Sequence, residues 1–127
     1  MSENRPMKKG PVTFTSRQAN PDLQGVFDVA PEEVSKLGAQ VHLIDVRQPG
    51  EFTGELGHIA GSELVVLDTL PDQLSNLSKD HTIVFICRSG ARSARAAAFA
   101  KMNGYEHVYN MLGGMLLWNN LQLPVER

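Results

Sequence analysis

The chain has a single cysteine, Cys87, among 127 residues. An intramolecular disulfide is therefore excluded, and nothing in the sequence suggests an oxidising compartment. No apolar run approaches the ~20 residues that a membrane-spanning helix needs. The basic N-terminus around Lys8 and Lys9 is followed by no apolar stretch, so no secretory signal is apparent. A soluble, cytoplasmic protein with no membrane partner is the default expectation. The formal net charge of −2 argues against nucleic acid as a partner. Four histidines, His42, His58, His81 and His107, show no metal-ligand spacing, and there is no cysteine pair. No metal site and no cofactor are expected. Internal repeats and low-complexity stretches are lacking too.

What is present begins with the surroundings of that one cysteine. Ile83-Val84-Phe85-Ile86 has the β-branched and aromatic content of a strand buried on both faces. Cys87 follows directly, then Arg88-Ser89-Gly90-Ala91-Arg92-Ser93, then an alanine-rich helix from Ala94 to Met102. The thiol thus falls at the C-terminal end of a strand and under a helix N-terminus, where ligands bind in open α/β sheets. Unpaired backbone N–H groups, the helix dipole and nearby arginines favour a thiolate over a thiol. A free cysteine is more often a small buried hydrophobe. Arg88, Arg92 and Arg95, all within nine residues of it, favour an oxyanion cradle instead.

Other segments alternate between strand and helix. Val26–Val29 reads as a short strand, and Pro31 opens a helix that runs through Leu37 and stops at Gly38. Val41–Val46 is a second strand, followed by a turn with one helical turn at Gln48–Phe52. Ser62–Leu67 reads as a short strand, Pro71–Leu77 as a helix, and the helix after Cys87 ends at Asn103-Gly104. His107–Asn110 is the last strand, and Gly113-Gly114 turns into a closing helix around Trp118. Strands alternating with short helices call for a parallel sheet covered on both faces. Trp118 and Phe99 are expected in the core. Residues 1–24 form a polar arm with four basic residues, Arg5, Lys8, Lys9 and Arg17, against Glu3 and Asp22. The domain proper is expected over 25–127. The arm should bury little, with Val12 and Phe14 as the residues able to dock.

Three segments together resemble the rhodanese family of sulfurtransferases in its small single-domain form. Asp45-Val46-Arg47 through Glu51-Phe52 to Gly57-His58-Ile59-Ala60-Gly61-Ser62 is similar to the N-terminal signature of that family. Cys87–Ser93 resembles its active-site loop. Gly113-Gly114, Trp118 and Leu123-Pro124 resemble its C-terminal signature. Two local departures, the extra length around Gly54-Glu55-Leu56 and Asn119–Gln122 in place of a glycine, touch loop geometry rather than fold. The resemblance implies a three-layer α/β fold, with a central parallel sheet of about five strands and helices on both faces.

It also implies an enzyme that moves sulfane sulfur from thiosulfate or a related small anionic donor through a Cys87 persulfide. The acceptor would be cyanide or a thiol, including a protein thiol, because the chain has no second cysteine. Backbone N–H groups from Arg88 to Ser93 would hold the sulfur, with Ser89, Gly90 and Ala91 in the loop and Gly90 supplying its conformational freedom. Arg88 and Arg92 are the expected partners of the donor's sulfonate, whereas Arg95 is as readily a solvated helix residue. Ser93 is expected to cap the helix rather than reach the sulfur. Asp45, Arg47 and Glu51 brace the loops, and His58 fixes a turn.

Two rivals remain open on the sequence. Cysteine phosphatases of related fold carry their arginine six positions after the cysteine, where this chain has Ser93; Arg92 stands at five. A loop one residue shorter suits a single sulfur better than a phosphate. A non-enzymatic rhodanese-like binding or sulfur-carrier module is the other, and Cys87 with its arginines counts against simple binding.

Overall fold

A computed structural model describes residues 11–127. The charges expected of the arm at Glu3, Arg5, Lys8 and Lys9, and the leader reading of the N-terminus, lie outside the described residues. The elements are β1 (Gln18–Ala19), β2 (Phe27–Val29), α1 (Pro31–Leu37), β3 (His42–Asp45), α2 (Pro49–Phe52), β4 (Glu63–Leu64), α3 (Leu70–Gln73), β5 (Ile83–Ile86), α4 (Ala91–Met102), β6 (Val108–Met111) and α5 (Gly114–Asn120). They build one six-stranded sheet in the order β1-β2-β6-β5-β3-β4. Every strand pair is parallel except β1 with β2.

The apolar run before Cys87 becomes β5, in the middle of the sheet between β6 and β3. All four of its residues are fully buried. Alternation sends them to opposite sides. Ile83 and Phe85 join Ile44, Val108 and the alanines of α4 in one core. Val84 and Ile86 join Val34 of α1 and Met115 and Trp118 of α5 in the other. The three-layer α/β fold expected from the sequence is therefore present, with helices on both faces of a mostly parallel sheet.

Differences from the sequence reading are local. A sixth strand, β1, lies antiparallel on the edge; its two exposed polar and small residues carry no apolar alternation that could have announced it. Helix α4 starts at Ala91 rather than Ala94, because Gly90 adopts φ 103° and turns the loop straight into the helix. The strand expected over 62–67 is only Glu63–Leu64, although Val65 and Leu67 still donate to the Asp45 and Val46 carbonyls. The helix expected over 71–77 is split into α3 and a 3-10 turn at Leu74–Asn76. The buried Tyr105 hydroxyl sits 2.6 and 2.7 Å from the carbonyls of Leu74 and Leu77 and fastens that segment to the end of α4.

The described part of the arm lies against the body. Phe14 is buried at 3% exposure and meets Tyr109 edge-on at 5.0 Å. The Val12 N–H donates to Thr82 Oγ1 at 2.9 Å. Glu33 of α1 accepts from both the backbone and the hydroxyl of Thr15 and of Ser16, at 2.6 to 3.1 Å. Ser16 Oγ in turn accepts from the N–H of Ala30 at the head of α1. Most of residues 11–24 are exposed; Phe14 is buried and Val12 half-buried, and these are the two docking residues the sequence allowed.

Candidate active site

Parallel strands place their C-terminal ends along one edge of the sheet, and there the site is assembled. Cys87 follows the last residue of β5, and Asp45 at the end of β3 is in register with Ile86. The Cys87 side chain is 1% exposed. Its Sγ accepts from the Gly90 N–H at 3.1 Å and lies 3.2 Å from Ser93 Oγ.

The loop takes its shape from α5. Met115 N–H donates to the Cys87 carbonyl at 2.8 Å, and Leu116 N–H to the Arg88 carbonyl at 3.0 Å. Across a trans peptide the next N–H points the opposite way, so those of Arg88 and Ser89 are turned away from α5. Gly114 makes this approach possible. A Cβ there would lie 2.5 Å from the Cys87 carbonyl oxygen and would also strike Arg88 O. The Gly-Gly pair is therefore a contact between backbones as well as a turn.

Asp45 and Arg47 are fully buried and paired with each other. Arg47 Nε and Nη2 donate to the two carboxylate oxygens of Asp45 at 2.9 and 2.8 Å. The same guanidinium holds the carbonyls of Gly57 at 2.7 Å and Glu51 at 3.2 Å. This pair offers no free proton-transfer group; it ties the loop after β3 to the sheet edge. His58 fixes its turn as expected, with Nδ1 2.7 Å from the Phe52 carbonyl and its ring stacked on Phe52 at 3.8 Å. Trp118 is core, and its Nε1 donates to the Pro124 carbonyl at 2.9 Å.

The two arginines expected to hold an anion are placed differently. Arg88 is exposed beside the loop. Arg92 is half-buried and grips Glu51 through two bonds of 2.8 and 2.9 Å. The Arg92 guanidinium, aided by the Gln48 N–H and against the cost of burial, holds the Glu51 carboxyl at a pKa of about 2. Glu51 and Cys87 in turn raise that of Arg92, the carboxylate first. Glu51 thus has Arg92 as a partner, which the sequence does not announce. Ser89 is exposed on the loop, and Ala91 and Arg95 are exposed on α4. Beside Ser89, Gly90, Ala91 and Arg95 opens a cavity of about 380 Å³, walled on its far side by Asp22 and Leu23.

Ser93 is corrected. Gly90 occupies the cap position, no side chain caps α4, and Ser93 lies buried in the first helical turn facing the sulfur. Behind it stands a polar set that sequence reading missed. Ser93 Oγ contacts Asn110 Oδ1, Asn110 Nδ2 donates to Asp28 Oδ1 at 2.9 Å, and Asn20 Nδ2 donates to the same oxygen at 3.0 Å. The available signal was one polar residue in each of two apolar strand runs, Asp28 and Asn110, which pair directly in register.

A sequence model described as the rhodanese-like domain matches residues 30–121. A protein named sulfurtransferase from Allochromatium vinosum is 36% identical over 85 residues, covering 67% of this chain and 78% of its own length. Thiosulfate sulfurtransferase GlpE of Pseudomonas aeruginosa is 35% identical over 96 residues, covering 73% of this chain and 84% of its own. Among solved structures, a rhodanese-related protein from Thermoplasma volcanium superposes with a TM-score of 0.73 at 26% identity, covering 78% of this chain and 96% of that one. Family model, relatives and overall fold agree, and the chain belongs to the rhodanese family of sulfurtransferases.

Proposed function

We propose that this chain moves sulfane sulfur from thiosulfate, or a related small anionic donor, to cyanide or a thiol, including a protein thiol. The Cys87 thiolate attacks the outer sulfur of the donor; a sulfur–sulfur bond forms, the donor's own sulfur–sulfur bond breaks, and sulfite leaves with the electron pair. The acceptor then attacks the terminal sulfur of the persulfide and returns Cys87 as a thiolate. The observation that carries this reading is a buried sulfur held by the Gly90 N–H, in a loop whose first two carbonyls are turned into α5. Such a loop supports an anion on sulfur through a backbone N–H, beside the Ser93 hydroxyl.

Arg88, exposed at the loop, is the first partner for the donor's sulfonate; Arg92 is the second and shares its charge with Glu51. Ser89, Gly90 and Ala91 contribute backbone, and Ser93 contributes its hydroxyl to the sulfur. An unpaired thiol that must stay reduced suits the cytoplasm. The test is to incubate the protein with thiosulfate and weigh it intact. It should gain the mass of one sulfur atom, lose it to cyanide with release of thiocyanate, and gain nothing as Cys87→Ser. An unchanged mass for the unsubstituted protein under these conditions would refute a thiosulfate-derived persulfide.

A further inference from the structure

Ser93 has one hydroxyl hydrogen and two neighbours that want it. Sγ of Cys87 lies on one side at 3.2 Å, and Oδ1 of Asn110 on the other. The orientation of the Asn110 amide is not free. A carboxylate only accepts, so the Asn110 nitrogen faces Asp28 Oδ1 and its oxygen must face Ser93. Asn20 donates to the same Asp28 oxygen and steadies that carboxylate from the other side. Ser93 is fully buried, and Asn110 and Asp28, which border the cavity beside the loop, are each 2% exposed.

The consequence depends on the state of the sulfur. A thiol donates to Ser93 Oγ, and Ser93 donates onward to Asn110, so every group is satisfied. A sulfur anion asks Ser93 to turn its hydrogen back, which leaves the Asn110 carbonyl facing an oxygen lone pair. We propose that Asn110, locked by Asp28, is a positioning residue that acts through Ser93: it draws the hydroxyl hydrogen away from Cys87 and so sets how strongly the sulfur anion is held. The inference rests on Cys87 as the reacting group, and gives Asp28 and Asn110 a role in tuning it. A sulfur held less tightly is a stronger nucleophile, and a loaded sulfur held less tightly is passed on faster.

The other charged groups around Cys87 stay constant when these residues are changed. They are Arg88 on the loop, Arg92 on α4, and Glu51 with the Asp45–Arg47 pair beyond β3. α5 brings no charge, and β6 brings only Tyr109, which packs on the opposite face against Phe14. Because Cys87 is the sole cysteine, the pH dependence of iodoacetamide alkylation of the full chain reads it directly, with no sulfur donor present.

Ser93→Ala removes a donor to the anion and should raise the pH midpoint by roughly one unit. Asp28→Asn, of the same shape, unlocks the Asn110 amide, which can then offer its N–H to Ser93 Oγ and release the hydrogen to sulfur. The midpoint should fall, by about half a unit. Removing a negative charge would lower it as well, so the double variant decides. The part routed through Ser93 is lost in the Ser93→Ala background, so the Asp28→Asn shift shrinks there to what the removed charge supplies; a shift of undiminished size there would overturn the proposal, as would no shift in either single variant. If Asp28→Asn does not fold, Asn110→Ala with and without Ser93→Ala gives the same cycle. Alkylation does not require sulfur transfer, so a failure here is separate from a failure of the thiosulfate reaction.

Discussion

Arg92 and Glu51 are 41 residues apart in sequence and joined by two parallel bonds, from Nη1 and Nη2 to the two carboxylate oxygens. The pair ties the first turn of α4 to α2, and so links the cysteine loop to the Asp45–Arg47 brace. It also means that the arginine placed by sequence on the donor is already committed to a carboxylate.

That relationship separates two substitutions. Arg92→Ala should raise KM for thiosulfate, with a loss in kcat/KM of roughly ten- to a hundred-fold, as removal of a charge-assisted bond of ~1.5–3 kcal/mol predicts. Glu51→Gln breaks the same ion pair but frees the guanidinium, so kcat/KM for thiosulfate should hold or rise. Equal losses in both variants, measured by thiocyanate formation, would make the pair a purely structural tie and leave Arg88 as the donor's anchor.

Acid should loosen the molecule at two identified points. Glu51 and Glu33 both have pKa values near 2 in the folded protein, against an ordinary 4.5. For Glu51 the Arg92 bond is the largest cause; for Glu33 burial opposes ionisation, and the four bonds from Ser16 and Thr15 outweigh it. A folded value below the unfolded one means the unfolded chain binds more protons as pH falls. Their contribution is therefore full above about pH 4.5 and lost toward pH 2. Urea melts at a series of pH values should show a declining midpoint through that window, and Glu33→Gln should flatten the decline. An identical slope in the variant would exclude Glu33 as a source.

Gly114 and Gly113 should respond differently to alanine. Both have positive φ, 59° and 72°, which alone costs an alanine ~1–2 kcal/mol. At Gly114 the added methyl also meets the carbonyls of Cys87 and Arg88, whereas at Gly113 it meets the Leu117 side chain. Gly114→Ala should lower both Tm and turnover; Gly113→Ala should lower Tm with a smaller effect on turnover. If turnover falls equally, the loop does not take its shape from the Gly114 contact.

Much of this was legible in the sequence because it is local. The buried run Ile83–Ile86, the loop after Cys87 and the Gly113-Gly114 turn carry their own signals within a few residues. The brace of Asp45 and Arg47 is local too, two residues apart. What was not legible depends on which strands become neighbours. Asp28 and Asn110 meet across 82 residues because β2 pairs with β6, and hydrophobic periodicity tells a strand's faces, not its partners. Ser93 was misassigned for a related reason. Placing the helix start at Ala94 made it a cap, whereas the Gly90 turn carries it into the helix and beneath the sulfur.

The arm gives the last test. A cut after Asp22 removes Phe14 from the core cluster that holds Val29, Met111 and Trp118. It also removes the four donors to Glu33 and the Asn20 bond to Asp28. Deleting a buried phenylalanine side chain costs ~3–5 kcal/mol, a large share of the ~5–15 kcal/mol that stabilises a typical domain. Phe14→Ala in the full chain should therefore lower Tm markedly, and truncation through Asp22 should lower it further. Turnover separates the two as well. Phe14 lies on the face of the sheet away from α4, so Phe14→Ala should retain turnover below its melting range. The truncated chain has lost the residue that steadies Asp28 and should show an altered pH profile of alkylation at Cys87. A truncated protein with unchanged Tm would show that residues 11–22 add nothing to the folding unit.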